Sequence, residues 1–216
     1  MIRQLSLVGV LTVVHSVALA EGHAIAAKAG FLGLGVEYTY SLNDRIALRF
    51  GLNGSELGFD GEESGIEYDF DLVWDSLSVA ADFHPLQSPF RVTGGLLRND
   101  NRLEAVSRSQ GNVTIGDTTY TPDQVGTLTG VVSFDDTAPF IGVGWDWSRN
   151  KELFGVSFDL GLISQGGPTV SLTGDGDLLG DPVFDADIAA EEAELRDSLD
   201  DLDLFPYLTL GFVFRF

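Results

Sequence analysis

The chain of 216 residues contains no cysteine. That excludes a disulfide framework and a lipid-anchored N-terminal cysteine, so any attachment to a membrane has to come from the fold itself. Basic residues are scarce, with 12 Lys plus Arg against 33 Asp plus Glu and a formal net charge of -21. A surface of that sign repels a phosphate backbone, which argues against nucleic acid as a partner. Histidine is scarce too, at three in the chain. After Ala20 no apolar run approaches the roughly 20 residues of a spanning helix. A membrane role for residues 21–216 would require a closed β-barrel, the other architecture that satisfies every backbone polar group in lipid.

The first twenty residues have a separate character. Arg3 precedes an apolar stretch from Leu5 to Val14, and Ala18-Leu19-Ala20 fits a small-x-small cleavage site. Residues 1–20 are expected to be a signal peptide and residues 21–216 an exported barrel domain.

Within that domain, apolar residues recur with period two, the mark of strands with one apolar and one polar face. The apolar faces run Leu32, Leu34, Val36, Tyr38, Tyr40; Ile46, Leu48, Phe50, Leu52; Tyr68, Phe70, Leu72, Trp74; and, after a one-residue phase slip, Leu77, Val79, Ala81, Phe83. The slip at Asp75 and Ser76 suggests a bulge. Further faces are Phe90 to Leu96, Pro139 to Trp145, Phe154 to Leu162 and Leu208 to Phe216, each at alternate positions and none carrying a charge. The opposite faces hold glycine and the charged residues Glu37, Arg49, Asp69, Asp71, Asp82, Arg91, Asp146, Asp159 and Arg215. An Arg or Lys facing lipid at the midplane costs about 2 to 4 kcal/mol, so charge confined to one face is what a bilayer enforces. These nine residues are the candidate lumen network.

Aromatic residues flank the short polar connections at Ser41 to Asp44, His84 to Pro89 and Ser148 to Glu152, and Phe214 and Phe216 join the same end. This reads as one interfacial girdle around periplasmic turns. The long connections, Phe59 to Gly65, Ala105 to Asp136 and Gly166 to Leu204, are then extracellular loops. The second holds a hairpin, Val113 to Tyr120, expected to extend the barrel wall; the third holds a helix over 183–202 with Asp181 as N-cap and Pro182 at its first position. Seven strands are strong. An even count makes Gly22 to Ala29, where Ile25, Ala27 and Ala29 alternate, the eighth. The expected fold is an all-β, antiparallel up-and-down transmembrane barrel of about eight strands with one helix in a long loop.

The closing segment alternates Leu208, Leu210, Phe212, Phe214 and a terminal Phe216, and it looks like the C-terminal assembly signal of outer-membrane barrels. The chain further resembles small proteobacterial OmpA-like outer-membrane β-barrel proteins of uncharacterised function, through Lys28 to Glu37 (KAGFLGLGVE), Asp82 to Pro85 (DFHP), Ala138 to Trp145 (APFIGVGW) and the helix with Ala190-Glu191-Glu192 before the last strand. The resemblance implies a bacterial outer-membrane location, contact with its lipid and delivery by the barrel assembly machinery. It brings no catalytic residue.

Nothing in the motifs calls for an enzyme or a cofactor. Past Ala20 the histidines are His23 and His84, and His84 lies in a turn with no serine at a suggestive spacing. Asp69 and Asp71 share a face and could form a carboxylate pair, though salt bridges to lumen arginines are the more economical role. Asp175, Asp177, Asp181, Asp185 and Asp187 could collect calcium but lack the EF-hand spacing. The leading expectation is a nonenzymatic barrel, either structural or a pore for small solutes or ions with cation preference. The alternatives are a surface-binding module acting through its loops and a soluble periplasmic barrel with its apolar faces turned inward.

Overall fold

A computed structural model describes residues 22–63, 66–86, 88–107, 111–150 and 153–216. The proposed signal peptide lies outside these residues. The strands are β1 (His23–Gly30), β2 (Gly33–Ser41), β3 (Ile46–Glu63), β4 (Ile66–Phe83), β5 (Phe90–Asn99), β6 (Arg102–Ser107), β7 (Val113–Ile115), β8 (Thr118–Tyr120), β9 (Leu128–Ser133), β10 (Thr137–Asp146), β11 (Phe154–Ser164), β12 (Thr169–Gly174) and β13 (Leu204–Arg215). Two helices, α1 (Pro122–Val125) and α2 (Pro182–Ser198), lie between β8 and β9 and between β12 and β13.

Eight of these strands close on themselves in the order β1-β2-β3-β4-β5-β10-β11-β13, every pairing antiparallel, with β13 returning to β1. The weakly alternating N-terminal segment is a full member. Its residues Ala24 to Gly30 pair with Arg215 to Thr209 and supply the seam that joins the two ends of the domain. Closure leaves no barrel edge unpaired, which removes the main route to edge-to-edge aggregation.

The outer face carries the apolar residues in the expected phase: Ile25, Leu34, Val36, Phe50, Leu52, Val79, Leu96, Ile141, Leu160, Leu210 and Phe212 are all exposed. Apolar faces therefore point outward, which contradicts the inward-facing ligand barrel. Aromatic rings gather where the short turns lie. Phe154 contacts Phe212 and Phe214, Phe214 contacts Phe216, His23 stacks on Tyr38, Tyr40 and Phe216, and Phe90 meets Trp145 at 5.3 Å.

Strands β3 and β4 each run 18 residues. At about 3.4 Å per residue that is roughly 60 Å, about twice a hydrocarbon core, so half of this hairpin projects beyond the barrel. The phase slip at Asp75 and Ser76 is not a bulge. Pairing between β3 and β4 runs without interruption from Ile46↔Phe83 to Glu63↔Ile66. The strand continues in register while the environment of its faces changes sides. Below Ser76 the outward residues are Leu77, Val79 and Phe83; above it the same face carries Asp75, Asp71 and Asp69, and the apolar residues Tyr68, Phe70 and Leu72 move to the inner face.

That inner face is partly covered, with Leu57 and Phe59 of β3 left exposed. Above the barrel β4 changes partner from β5 to β6, and β6 pairs with β9 and β9 with β12. Each added strand is the upward continuation of a barrel strand, β6 of β5, β9 of β10 and β12 of β11, broken by two to four residues at the rim. The last strand has no such extension, and α2 occupies its place. Asp181 caps α2 by accepting from the backbone N–H groups of Val183 and Phe184. Phe184 is buried with Val113, Ile115, Tyr120, Val125 and Leu128, while Glu192 Oε1 accepts the Leu172 N–H of β12 at 2.8 Å. The β7–β8 hairpin forms its own two-stranded sheet packed on this helix. The wall is extended by β6, β9 and β12 instead.

The two halves of β4 should respond differently to the same charge. Val79→Arg is expected to lower the folded fraction on refolding into lipid vesicles by an equivalent of about 2 kcal/mol or more. Asp71→Arg, on the same strand face but above the barrel, is expected to leave it unchanged. Gel migration with and without heating measures both, and equal losses would mean that the two halves share one environment.

Candidate functional site

An eight-stranded barrel is just wide enough for side chains to fill. Glycine sets where bulk can enter. A Cβ at Gly161 would sit 2.6 Å from the Tyr207 ring and 2.8 Å from Gly142 Cα, and a Cβ at Gly142 would meet the Tyr207 hydroxyl and lie 2.7 Å from the Leu160 carbonyl. The small positions on β10 and β11 thus seat one ring. Tyr207 packs there with Leu97, Ala138 and Ile163 and meets Phe140 edge-on at 5.9 Å, forming an apolar layer across the loop end of the lumen.

Beneath that layer lie the charges. Asp159, 1% exposed, accepts from Arg91 Nη2 at 2.7 Å, Lys28 Nζ at 3.0 Å and Arg49 Nη1 at 3.4 Å. Glu37 receives Lys28 and Arg49, each at 3.0 Å. Asp82 pairs with Arg49 Nε at 2.8 Å and accepts the Thr93 hydroxyl at 2.7 Å. Toward the turns, Asp146 takes Arg215 Nη2 at 2.8 Å and the Ser148 N–H at 3.0 Å, and Arg91 lies 3.8 Å from it. Lys28, Arg49, Arg91 and Arg215 thus face Glu37, Asp82, Asp146 and Asp159, four charges of each sign. The residual cavity beside the cluster is about 40 Å³, bordered by Arg49, Asp159, Phe140 and Tyr207, enough for one or two waters.

Seven of the nine candidate lumen residues are brought together in this way: Glu37, Arg49, Asp82, Arg91, Asp146, Asp159 and Arg215. Asp69 and Asp71 are not among them. They lie above the barrel on the outer face of β4, opposite Asp60 and Gly58 of β3, because the face that points into the lumen below Ser76 is the other one. Sequence reasoning missed Lys28. The signal was present, since Lys28 alternates with Ile25, Ala27 and Ala29, and it counts as a lumen residue once β1 is accepted as a strand. The predicted assembly residues Leu208, Leu210, Phe212 and Phe214 lie along the outer face of β13.

The acidic run does not gather. Asp175 accepts the Thr127 N–H, Asp181 caps α2 and Asp187 accepts the Tyr120 hydroxyl at 2.6 Å. Among the described residues no group of three or more His, Asp or Glu side chains forms a metal site. His84 is buried in its turn, with Nδ1 3.0 Å from the Phe90 carbonyl and 3.2 Å from that of Ser88, so Nδ1 carries the proton and donates. Burial, followed by the nearby Arg149 charge, pushes its pKa below the usual histidine value.

The barrel is similar in fold to two crystal structures from Acinetobacter baumannii. CarO matches at a TM-score of 0.61 and 22% identity, covering 92% of this chain and 99% of that one. CarO2 matches at 0.60 and 22%, covering 91% and 99%. At this identity the likeness speaks for the eight-stranded architecture and not for activity. No protein-family model and no curated protein matches the chain.

Asp159→Asn leaves three cations facing one neutral amide, and breaking a buried pair in this way is expected to cost about 3–5 kcal/mol in urea unfolding of the lipid-reconstituted protein. Asp100→Asn, which removes the exposed partner of Arg98, is expected to cost less than about 1 kcal/mol. Equal effects would mean that the lumen cluster carries no special weight. Because folding lowers the His84 pKa, the unfolded chain binds more protons in this range, and stability should fall as pH drops through the ordinary histidine value near 6.5. His84→Gln should flatten that slope; an unchanged slope would assign the titration elsewhere.

Proposed function

We propose that the chain is a nonenzymatic integral protein of the bacterial outer membrane whose lumen is closed. It serves as a structural barrel that holds a sheet and a helix above the surface. The observation that carries this reading is the lumen filling: a charge-balanced cluster interlocked from Lys28 to Arg215 beneath an apolar layer around Tyr207. Ions crossing it would have to displace buried pairs and then shed water in a hydrophobic constriction.

On this reading the outward apolar band meets outer-membrane lipid, and the aromatic residues at the turn end settle at the periplasmic interface. Residues 1–20 direct export, and the alternating Leu208, Leu210, Phe212, Phe214 and Phe216 present the C-terminal segment to the assembly machinery.

A second reading, a small-solute or ion pore with cation preference, draws on the acid excess of the chain. Those acids lie largely in the upper sheet and α2, whereas the lumen charges balance, so cation preference would arise at the mouth and need the plug to move. Planar-bilayer recording of the purified protein decides between them. The closed reading expects no stepwise conductance in potassium chloride, and discrete steps with a cation-selective reversal potential would replace it with the pore.

A further inference from the structure

The upper sheet and α2 border a second cavity, open on one side, whose lining shares no residue with the lumen cavity. The N-terminal half of α2 is docked tightly, with Phe184 against Tyr120 edge-on at 5.1 Å and the Tyr120 hydroxyl on Asp187. Its C-terminal half is not. Leu195 and Leu199 face Phe70, Leu103, Leu128 and Leu172 across an open cavity of about 270 Å³. That is nearly twice the roughly 150 Å³ of an apolar cavity that takes benzene. Two adjacent carboxylates anchor the middle of the helix, Glu192 on the Leu172 N–H of the sheet and Glu191 on the Gly116 N–H of the β7–β8 turn at 3.1 Å.

We propose that this cavity is a binding site for a small uncharged aromatic molecule of one or two fused rings. The walls are apolar apart from Thr114, the Tyr68 hydroxyl and Glu191. A cation would gain Glu191, but that carboxylate already holds Gly116, and the walls offer an ammonium little to replace its lost hydration. An anion would be repelled by Glu191, the one charged side chain in the lining. Charge of either sign is therefore selected against. A ring is favoured over a flexible chain because Phe70 forms part of the wall as the middle of an aromatic ledge, 5.2 Å from Phe59 and 5.7 Å from Tyr68, and stacked rings lose little entropy on ordering.

The test uses the full mature chain in lipid nanodiscs, titrated with indole, tryptamine and indole-3-acetate by calorimetry and saturation-transfer NMR, with protein-free nanodiscs subtracted. Indole is expected to bind saturably at one site, with both charged analogues at least tenfold weaker. Leu195→Trp fills the cavity from the helix and Ala105→Trp from the sheet. Each variant that keeps heat-modifiable migration should lose indole binding, so that either alone can decide. No saturable indole binding to the unmodified chain, undiminished binding in a folded filled variant, or equal binding of the charged analogues would each overturn the proposal.

Discussion

A carboxylate at the centre of the lumen organises the barrel. Asp159 receives Arg91, Lys28 and Arg49 from three other strands, and burial allows it to keep its charge only because those partners are in place. The rest of the interior obeys the same constraint. An eight-stranded barrel has no room for bulk water, so each buried charge must find its partner among side chains, and the glycines of β10 and β11 clear the space for arginine and tyrosine to reach across. Register then becomes a matter of charge as well as hydrophobicity, since slipping any strand by one residue would send a lumen arginine or carboxylate to the apolar outer face.

The second organising feature is the change of environment along β4. An unbroken antiparallel ladder passes from a region where the outer face is apolar to one where it is acidic. The protein answers by adding β6, β9, β12 and α2 on the inner side. The same hairpin therefore serves two cores, a polar one below and an apolar one above, and the rim breaks in the other strands let the upper sheet bend over its own contents. Glu192 capping the edge of β12 and the absence of a strand above β13 explain why a helix finishes the cover.

Much of the barrel is legible in the sequence because period-two alternation reports directly on a wall with unlike sides. Even the faint β1 can be inferred from parity, and Asp181-Pro182 marks the start of α2 correctly. Two expectations fail for a common physical reason. Alternation gives the phase of a strand but not which medium lies on each side, so the inversion at Asp75 and Ser76 looks like a bulge and places Asp69 and Asp71 in the lumen. The omission of Lys28 is of another kind, a consequence of discounting a segment rich in alanine. The pairing of β6, β9 and β12 is not legible at all, since their long-range partners leave no local trace.

The absence of cysteine makes the change of medium along β4 open to one direct measurement. Single cysteines placed at each position from 68 to 83 of the membrane-reconstituted protein would be probed with a water-soluble and a lipid-soluble thiol reagent. Lipid-phase labelling is expected at 77, 79, 81 and 83, aqueous labelling at 69, 71 and 75 on the same face, and protection at 78, 80 and 82. A reversal of parity across positions 75 and 76, or the same aqueous reactivity along the whole outer face, would contradict a single unbroken strand passing from lipid into water.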